Sequence, residues 1–336
     1  MSRRRPSALA GLLESFFRHR LAAQRQASPT TIATYRDALR LLLVFASEKL
    51  GKPPVQLDIK DLERDLVLAF LDTLEKKRGN CVRTRNARLA AIRSFFQHVT
   101  YCDPSAVGMA QRILSIPSKR ATTKVFEHLT VNELDAVLAM PDCTTKWGRR
   151  DHALLLFLSR TGARASEVVA VNIDDLRLDE PAQVVLHGKG SKDRVVPLVP
   201  DVVTALKELA KSRPRTVRHE PVFTNARGKR LTRWGVTHIL ARAVKVAAAS
   251  TAPGLRDRRV SPHVLRHTNG MHHLQAGVDL ATIQSLLGHA SIVTTHLYVE
   301  ADTEMKRAAL AKGQPVGTAV TKYEPSDAVL ALLDKL

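Results

Sequence analysis

Cysteine is nearly missing from this chain. Cys81, Cys102 and Cys143 are scattered over 336 residues. An odd, unclustered set builds neither a disulfide framework nor a CxxC metal pair, and it fits a reducing cytoplasm. Aromatic residues supply 4% of the sequence, so the cores have to come from Leu, Val, Ala and Ile. Long apolar runs are lacking as well. None approaches the roughly 20 residues of a membrane-spanning helix, so no membrane partner is expected. The opening MSRRRPSALAGLL is basic, but its apolar run is short and is interrupted by Glu14 and Arg18. It is the pattern of a basic arm entering a helix rather than of a signal peptide. No repeat of fixed period occurs.

Acidic residues are the other shortage. Against 52 Lys and Arg stand 32 Asp and Glu, a formal net charge of +20, with a pI near 10.4. Such a surplus costs self-repulsion and points to a polyanionic partner, nucleic acid first. Hydrophobic content of 44% is ordinary for a chain with real cores, and the length suits two domains.

Periodicity divides the chain. The first hundred residues are helical in pattern. Ile32, Tyr35, Leu39, Leu42 and Leu43 recur at helical spacing between a Ser28 cap and a Gly51 stop. A second helix covers roughly Val67 to Lys77. A third, over 84–100, sets Leu89, Ile92, Phe95 and Phe96 on one side, with Arg83, Arg85, Arg88 and Arg93 toward phosphate. Residues 103–128, with Pro104 and Pro117, lack periodicity and are expected to connect two domains. TVNE at 130–133 is a capping box that opens a second helical region. There a buried helix capped by Asp151 runs to Gly162, and another begins at once. Two β runs, 182–188 and 194–198, flank a lysine-bearing turn. Helices follow over 231–249, from Ser261-Pro262, and from Asp279 to Gly288. Ser291 caps a last helix holding Tyr298, and a polar tail ends in an apolar stretch over 327–336. The fold class expected is mainly α with a small β-sheet.

The stretch SPHVLRHTNGMHH (261–273) holds four histidines and an arginine. A metal site would need carboxylates, or a His pair with Glu, and no acid occurs between Ser261 and Val278. Arginine repels a cation. His263 and Arg266, three apart, share a helix face and suit an anion that also exchanges a proton, a phosphate under attack. Arg164 after the Thr161-Gly162 turn, Lys189 on the hairpin, His289 after Gly288, and Tyr298 are further candidates. No metal or other cofactor is expected. Lys192 is an alternative to Lys189, and Tyr323 to Tyr298. His267 is expected to pack or to satisfy a backbone group.

TGARASE (161–167), GKGSKDRVVPL (188–198), HVLRH (263–267) and GHASIVTTHLY (288–298), in this order, resemble the tyrosine recombinases, also called the phage integrase family. The resemblance implies a helical, SAM-like core-binding domain over 1–110, a linker over 111–128, a mixed α/β catalytic domain over 129–310, and a tail over 311–336 that is either exchanged between subunits or packed on its own domain. Arg164 and Arg266 would clamp the scissile phosphate. Tyr298 would attack it to give a 3′-phosphotyrosyl link, and Lys189 would protonate the leaving 5′-oxygen. His263 would assist proton transfer, His289 would bond the phosphate, and Glu167 would orient Arg164. Arg83, Arg85, Arg88, Arg93, Lys119, Arg120, Lys192 and Arg233 are the candidates for contact with double-stranded DNA. The resemblance further implies integration, excision or resolution for a mobile element. It also implies a tetramer on DNA or partner recombinases, and a bacterial, nucleoid-associated cytoplasmic location. A type IB topoisomerase and a DNA-binding regulator without cleavage are the alternatives. Asn269-Gly270 and Ala163 depart from the family pattern, at positions not expected to touch the catalytic set.

Overall fold

A computed structural model of the chain describes residues 8–121, 127–188, 193–211 and 219–288, with Thr295 and Tyr298. The chain divides into two compact units, Met1–Lys124 and Val125–Leu336.

The first unit is helical. Helix α1 (Ala8–Ser15) continues into a π-helical stretch, Phe16–Gln24. Helix α2 (Pro29–Leu50) begins where Ser28 Oγ accepts from the Thr31 amide and ends at Gly51, whose φ of 64° suits glycine. Helices α3 (Arg64–Lys76) and α4 (Val82–Cys102) follow. The apolar stripe of α4 is the one expected, and Leu89, Ile92, Phe95 and Phe96 are fully buried. Phenylalanine does more here than the composition suggests. Phe16, Phe70, Phe95 and Phe96 are all in this core, with the Phe16 and Phe95 rings edge to face at 5.5 Å.

The expected connector needs correction. Helix α5 (Val107–Leu114) occupies its first part, and Ala110, Ile113 and Ile116 are buried in the same core. Two prolines and a short length hid a helix that tertiary packing supports.

In the second unit, helix α6 (Val131–Leu138) starts with the expected capping box of Thr130 and Glu133. Helix α7 (Lys146–Thr161) begins earlier than expected. Its cap is Thr145, and Gly148 follows because a Cβ there would overlap the Asp142 carbonyl. Asp151 is therefore no cap. It is buried one turn in, held by Arg150 and Arg242. Leu154, Leu155 and Phe157 are fully buried, making α7 the central helix of this core. Gly162, at φ 59°, closes it and turns the chain into α8 (Ala165–Ala170).

A short strand, β1 (Leu176–Arg177), precedes β2 (Gln183–His187) and β3 (Asp193–Pro197), giving an antiparallel sheet in the order β1-β2-β3. Leu186 pairs with Arg194 and Val184 with Val196. Helix α9 (Pro200–Lys211) packs along α7. Helices α10 (Arg233–Ser250), α11 (Pro262–Gln275, capped by Ser261) and α12 (Leu280–Leu287, capped by Asp279) complete the described part. No helix among the described residues is long and apolar enough to cross a membrane.

Candidate active site

Three chain reversals converge in the second unit: the turn after α7, the first turns of α11, and the end of α12. Arg164 caps α8, and its side chain is about a third exposed, at 32%. Its Nη1 donates to Glu167 Oε1 at 2.6 Å and its Nη2 to the Gly288 carbonyl at 3.1 Å. The Arg164 amide donates to Glu167 Oε2 at 2.8 Å. Arg266 is buried. Its Nη1 donates to the Gly162 carbonyl at 2.7 Å and its Nη2 to that of Leu287 at 2.5 Å. The C-terminal carbonyls of α7 and α12 thus hold two guanidiniums, the charge that suits a helix C-terminus.

Glu167 is buried between Arg164 and Arg194, and Arg194 binds both carboxylate oxygens at 3.0 and 2.8 Å. Burial pushes the carboxyl up, but the hydrogen bonds from Arg194 and from the Arg164 amide outweigh it and hold the group down at about 2. Burial and the neighbouring Arg164 charge lower Arg266 to about 10, which leaves it protonated at neutral pH.

Tyr298 is fully buried, packed with Met271, Leu274, Ile283 and Leu287. Burial pushes its phenol up to about 12, opposed in part by the Arg266 charge. Its hydroxyl lies 3.2 Å from His267 Nδ1, with the two rings edge to face at 5.8 Å. Burial, then the charges of His263 and Arg266, lower His267 to about 4. A neutral His267 whose Nδ1 carries no proton can accept a hydrogen bond from the phenol. His263 is more exposed, and partial desolvation, then Arg266 and Arg164, lower its pKa too.

Several sequence expectations change here. His267 engages the candidate nucleophile. Gly270 also meets Tyr298: a Cβ there would stand 2.7 Å from Cε2 and Cζ of the ring. Positions 263, 266, 267 and 270 follow one helix face, so the glycine is the recess in which the ring sits. Asn269 supports the site from behind, its Nδ2 donating to the Ser159 carbonyl at 2.8 Å and that of Arg160 at 3.1 Å. Asn269 and Gly270, two of the departures from the family pattern, therefore adjoin the candidate set. Arg194 had a signal that the sequence reading missed. Period-two alternation puts it on the same side of β3 as buried Val196. The histidine-rich stretch is divided among tasks, for His272 Nε2 pairs with the Leu129 carbonyl at 2.9 Å. Lys189, Lys192, His289, Tyr323 and the tail lie outside the described residues.

The candidates for DNA contact separate in the same way. Arg83, Arg120 and Arg233 are exposed. Arg85 is buried at 3% exposure, 3.7 Å from Glu75, which also pairs with Lys119 at 2.5 Å. Arg93 donates to the Ile116 carbonyl, and Asn86 bonds the Lys119 backbone in both directions. This row of α4 fixes residues 116–119 to the first unit, so Arg85 is withdrawn from any surface contact. Arg88 is half-buried.

Residues 127–305 match the phage integrase family, and residues 13–100 match the N-terminal SAM-like domain of phage integrases. The chain belongs to the phage integrase family. Among similar integrase-family proteins is y4rD of Sinorhizobium fredii, which carries the name integrase/recombinase. It is 53% identical over 278 residues, 82% of this chain and 98% of that protein. The tyrosine recombinase XerC of Pelobacter propionicus is 34% identical over 299 residues, 89% and 94% of the two chains. The enzyme class is accordingly tyrosine-type DNA recombinase. In fold, the chain resembles the XerH site-specific recombinase bound to difH, with TM-score 0.66, 24% identity, and 86% and 81% of the chains covered. The Tn1549 transposon integrase in complex with a circular intermediate DNA gives TM-score 0.65 at 16% identity, covering 89% and 98%.

Proposed function

We propose that this enzyme is a site-specific recombinase that cuts and rejoins double-stranded DNA through a phosphotyrosyl bond to Tyr298, serving integration, excision or resolution of a mobile element. The observation that carries the reading is the convergence of Arg164 and Arg266 on the carbonyls of Gly162, Leu287 and Gly288, with the Arg266 charge bearing on the Tyr298 phenol. Two planar guanidiniums match phosphate oxygens and stay charged at working pH. They stabilise the extra negative charge of a five-coordinate phosphorus.

In the proposed step the Tyr298 oxygen bonds to phosphorus, the bond from phosphorus to the 5′-oxygen breaks, and that oxygen takes a proton from Lys189. A phenol at about 12 is protonated at neutral pH, so its proton has to leave as the new bond forms. His263 and His267, both lowered and so neutral, can receive it. His289 bonds the phosphate. A 5′-hydroxyl of a second strand then reverses the attack, and the number of phosphodiester bonds is conserved. Four copies on two duplexes are the assembly this reaction needs. The named integrases and recombinases among the relatives support the reading, and the net charge of +20 supports a DNA partner.

The test is covalent trapping on a nicked duplex carrying the element's end sequence, in metal-free buffer, comparing wild type with Tyr298→Phe on a denaturing gel. The expected result is a shifted protein–DNA band that is lost in the variant. A band that survives the substitution moves the nucleophile elsewhere, to Tyr323 first. Tight DNA binding without any wild-type band overturns the reading in favour of a regulator.

A further inference from the structure

The structure assigns Arg194 as a positioning residue for this site, an assignment that rests on the recombinase reading. Arg194 is the second residue of β3, yet its side chain is only 11% exposed. Every nitrogen of its guanidinium is engaged. Nη1 and Nη2 donate to Oε1 and Oε2 of Glu167 at 3.0 and 2.8 Å, and Nε donates to the Leu286 carbonyl at 2.9 Å. Gly288 lies flat against the same group, since a Cβ there would stand 3.0 Å from Cδ and 3.1 Å from Nη1. One side chain thereby joins the sheet, the first turn of α8 and the last turn of α12.

The consequence reaches Arg164 through Glu167. A carboxylate paired with Arg164 alone is free to rotate about its terminal bond and to neutralise its one partner. Bidentate binding by Arg194 fixes the carboxylate plane. Glu167 then offers Arg164 an acceptor at a set position, 2.6 Å from Nη1, and the second guanidinium cancels the carboxylate charge. Arg164 keeps its own charge and its direction. The donation to Leu286 holds the end of α12, whose next two carbonyls receive Arg266 and Arg164. Only a planar fork makes all these bonds, so lysine is not an equivalent residue.

The experiment uses the full chain with Arg194→Gln, Arg194→Lys, Glu167→Gln and the double variant Glu167→Gln/Arg194→Gln. Three quantities are read: the rate of covalent complex formation on saturating nicked duplex, DNA affinity at fixed salt, and melting temperature. The expected result for Arg194→Gln is a rate loss of about 10- to 100-fold, the scale of a small misplacement in a catalytic constellation, with affinity unchanged. Arg194→Lys recovers part of that loss. The double variant is no slower than the slower single variant, because both act through one contact. A wild-type rate in Arg194→Gln, full rescue by lysine, or fully multiplicative losses overturn the assignment. So does a lower melting temperature with an unchanged rate per folded molecule, which is a purely structural role. Tyr298→Phe runs in parallel. If wild type forms no Tyr298-dependent bond, the recombinase reading fails and Arg194 with it. If that bond forms and Arg194→Gln matches wild type, only the Arg194 assignment fails.

Discussion

Replacing Gly270 by alanine puts a methyl carbon where the Tyr298 ring now sits. It would stand 2.7 Å from Cε2 and Cζ and 3.0 Å from the hydroxyl oxygen. Non-bonded carbons settle at about 3.5–4.0 Å, so one element has to yield by roughly 1 Å. Helix α11 is tied on several sides. Arg266 holds the Gly162 and Leu287 carbonyls, Asn269 those of Ser159 and Arg160, and Thr268 accepts from the Leu129 amide. The ring is therefore expected to move. Overpacking costs about 1–3 kcal/mol, and alanine regains about 1 kcal/mol over glycine inside a helix. The net of roughly 0–2 kcal/mol leaves the unit folded and displaces the tyrosine. Tyrosinate absorbance during a rapid alkaline titration reads the outcome. Among four tyrosines, wild type is expected to show one titrating near 12 rather than 10, a penalty on the anion of roughly 3 kcal/mol. Tyr298→Phe should delete that transition and so assign it. In Gly270→Ala it should fall toward 10. A late transition unchanged in Gly270→Ala, at unchanged melting temperature, refutes the packing argument.

The other predictions concern pH and charge. His267 is held near 4 against an ordinary 6.5, so the unfolded chain takes up the proton first. The stability it contributes, up to about 3 kcal/mol, is complete above pH 6.5 and disappears as pH falls toward 4. Urea midpoints at pH 7 and 4.5 should converge in His267→Phe, and an unchanged gap counts against the buried neutral ring. Glu167 adds its own loss at lower pH, between 4.5 and about 2. Arg85→Met should destabilise the first unit by roughly 1–3 kcal/mol, because it unpairs buried polar groups, with no change in the salt dependence of DNA binding. Exposed Arg83→Ala should do the reverse, leaving stability intact and reducing the salt slope by about 1 if it meets a phosphate. Identical effects from the two substitutions would erase the distinction between buried and exposed arginines.

Local signals carried much of this protein. Ser28 and Gly51, the Thr130–Glu133 box, Ser261-Pro262 and Asp279 mark helix ends because capping chemistry acts within four residues. Arg164 and Arg266 stand out in the sequence because arginine beside histidine suits an anion, and Glu167 stands out through the family resemblance. What the sequence hid depends on distant partners. Asp151 looks like a cap until Arg242, 91 residues away, is seen to bind it. Helix α5 is too short to stand without the core that takes Ile113. The arginines of α4 look alike in sequence. Only the return of residues 116–119 separates Arg85 and Arg93, which hold backbone and Glu75, from Arg83, which faces solvent. Gly270 reads in the sequence only as a departure from the family pattern, because its reason, the Tyr298 ring, comes 28 residues later in the chain.

The same arrangement explains how a site of this charge stays folded without DNA. Arg164, Arg194 and Arg266 face a single carboxylate, Glu167, so among these residues two positive charges are uncompensated. Repulsion of that kind is costly in a buried region unless the N–H groups are satisfied. They are satisfied here mainly by neutral acceptors, the carbonyls of Gly162, Leu286, Leu287 and Gly288 at the ends of α7 and α12. A carbonyl dipole orients a guanidinium without cancelling its charge, whereas further carboxylates would orient and neutralise it together. Under the proposed reaction a phosphate oxygen arriving at Arg164 or Arg266 exchanges a neutral acceptor for an ionic one, and bonds between charged partners are roughly twice as strong. That difference is available because Glu167 is shared with Arg194. A second acid beside Arg266 would stabilise the free enzyme and remove the advantage. An acidic side chain introduced within reach of that guanidinium is expected to raise the melting temperature and to slow covalent trapping in the same variant. A gain in stability with full trapping rate would show that the uncompensated charge is not what the site uses.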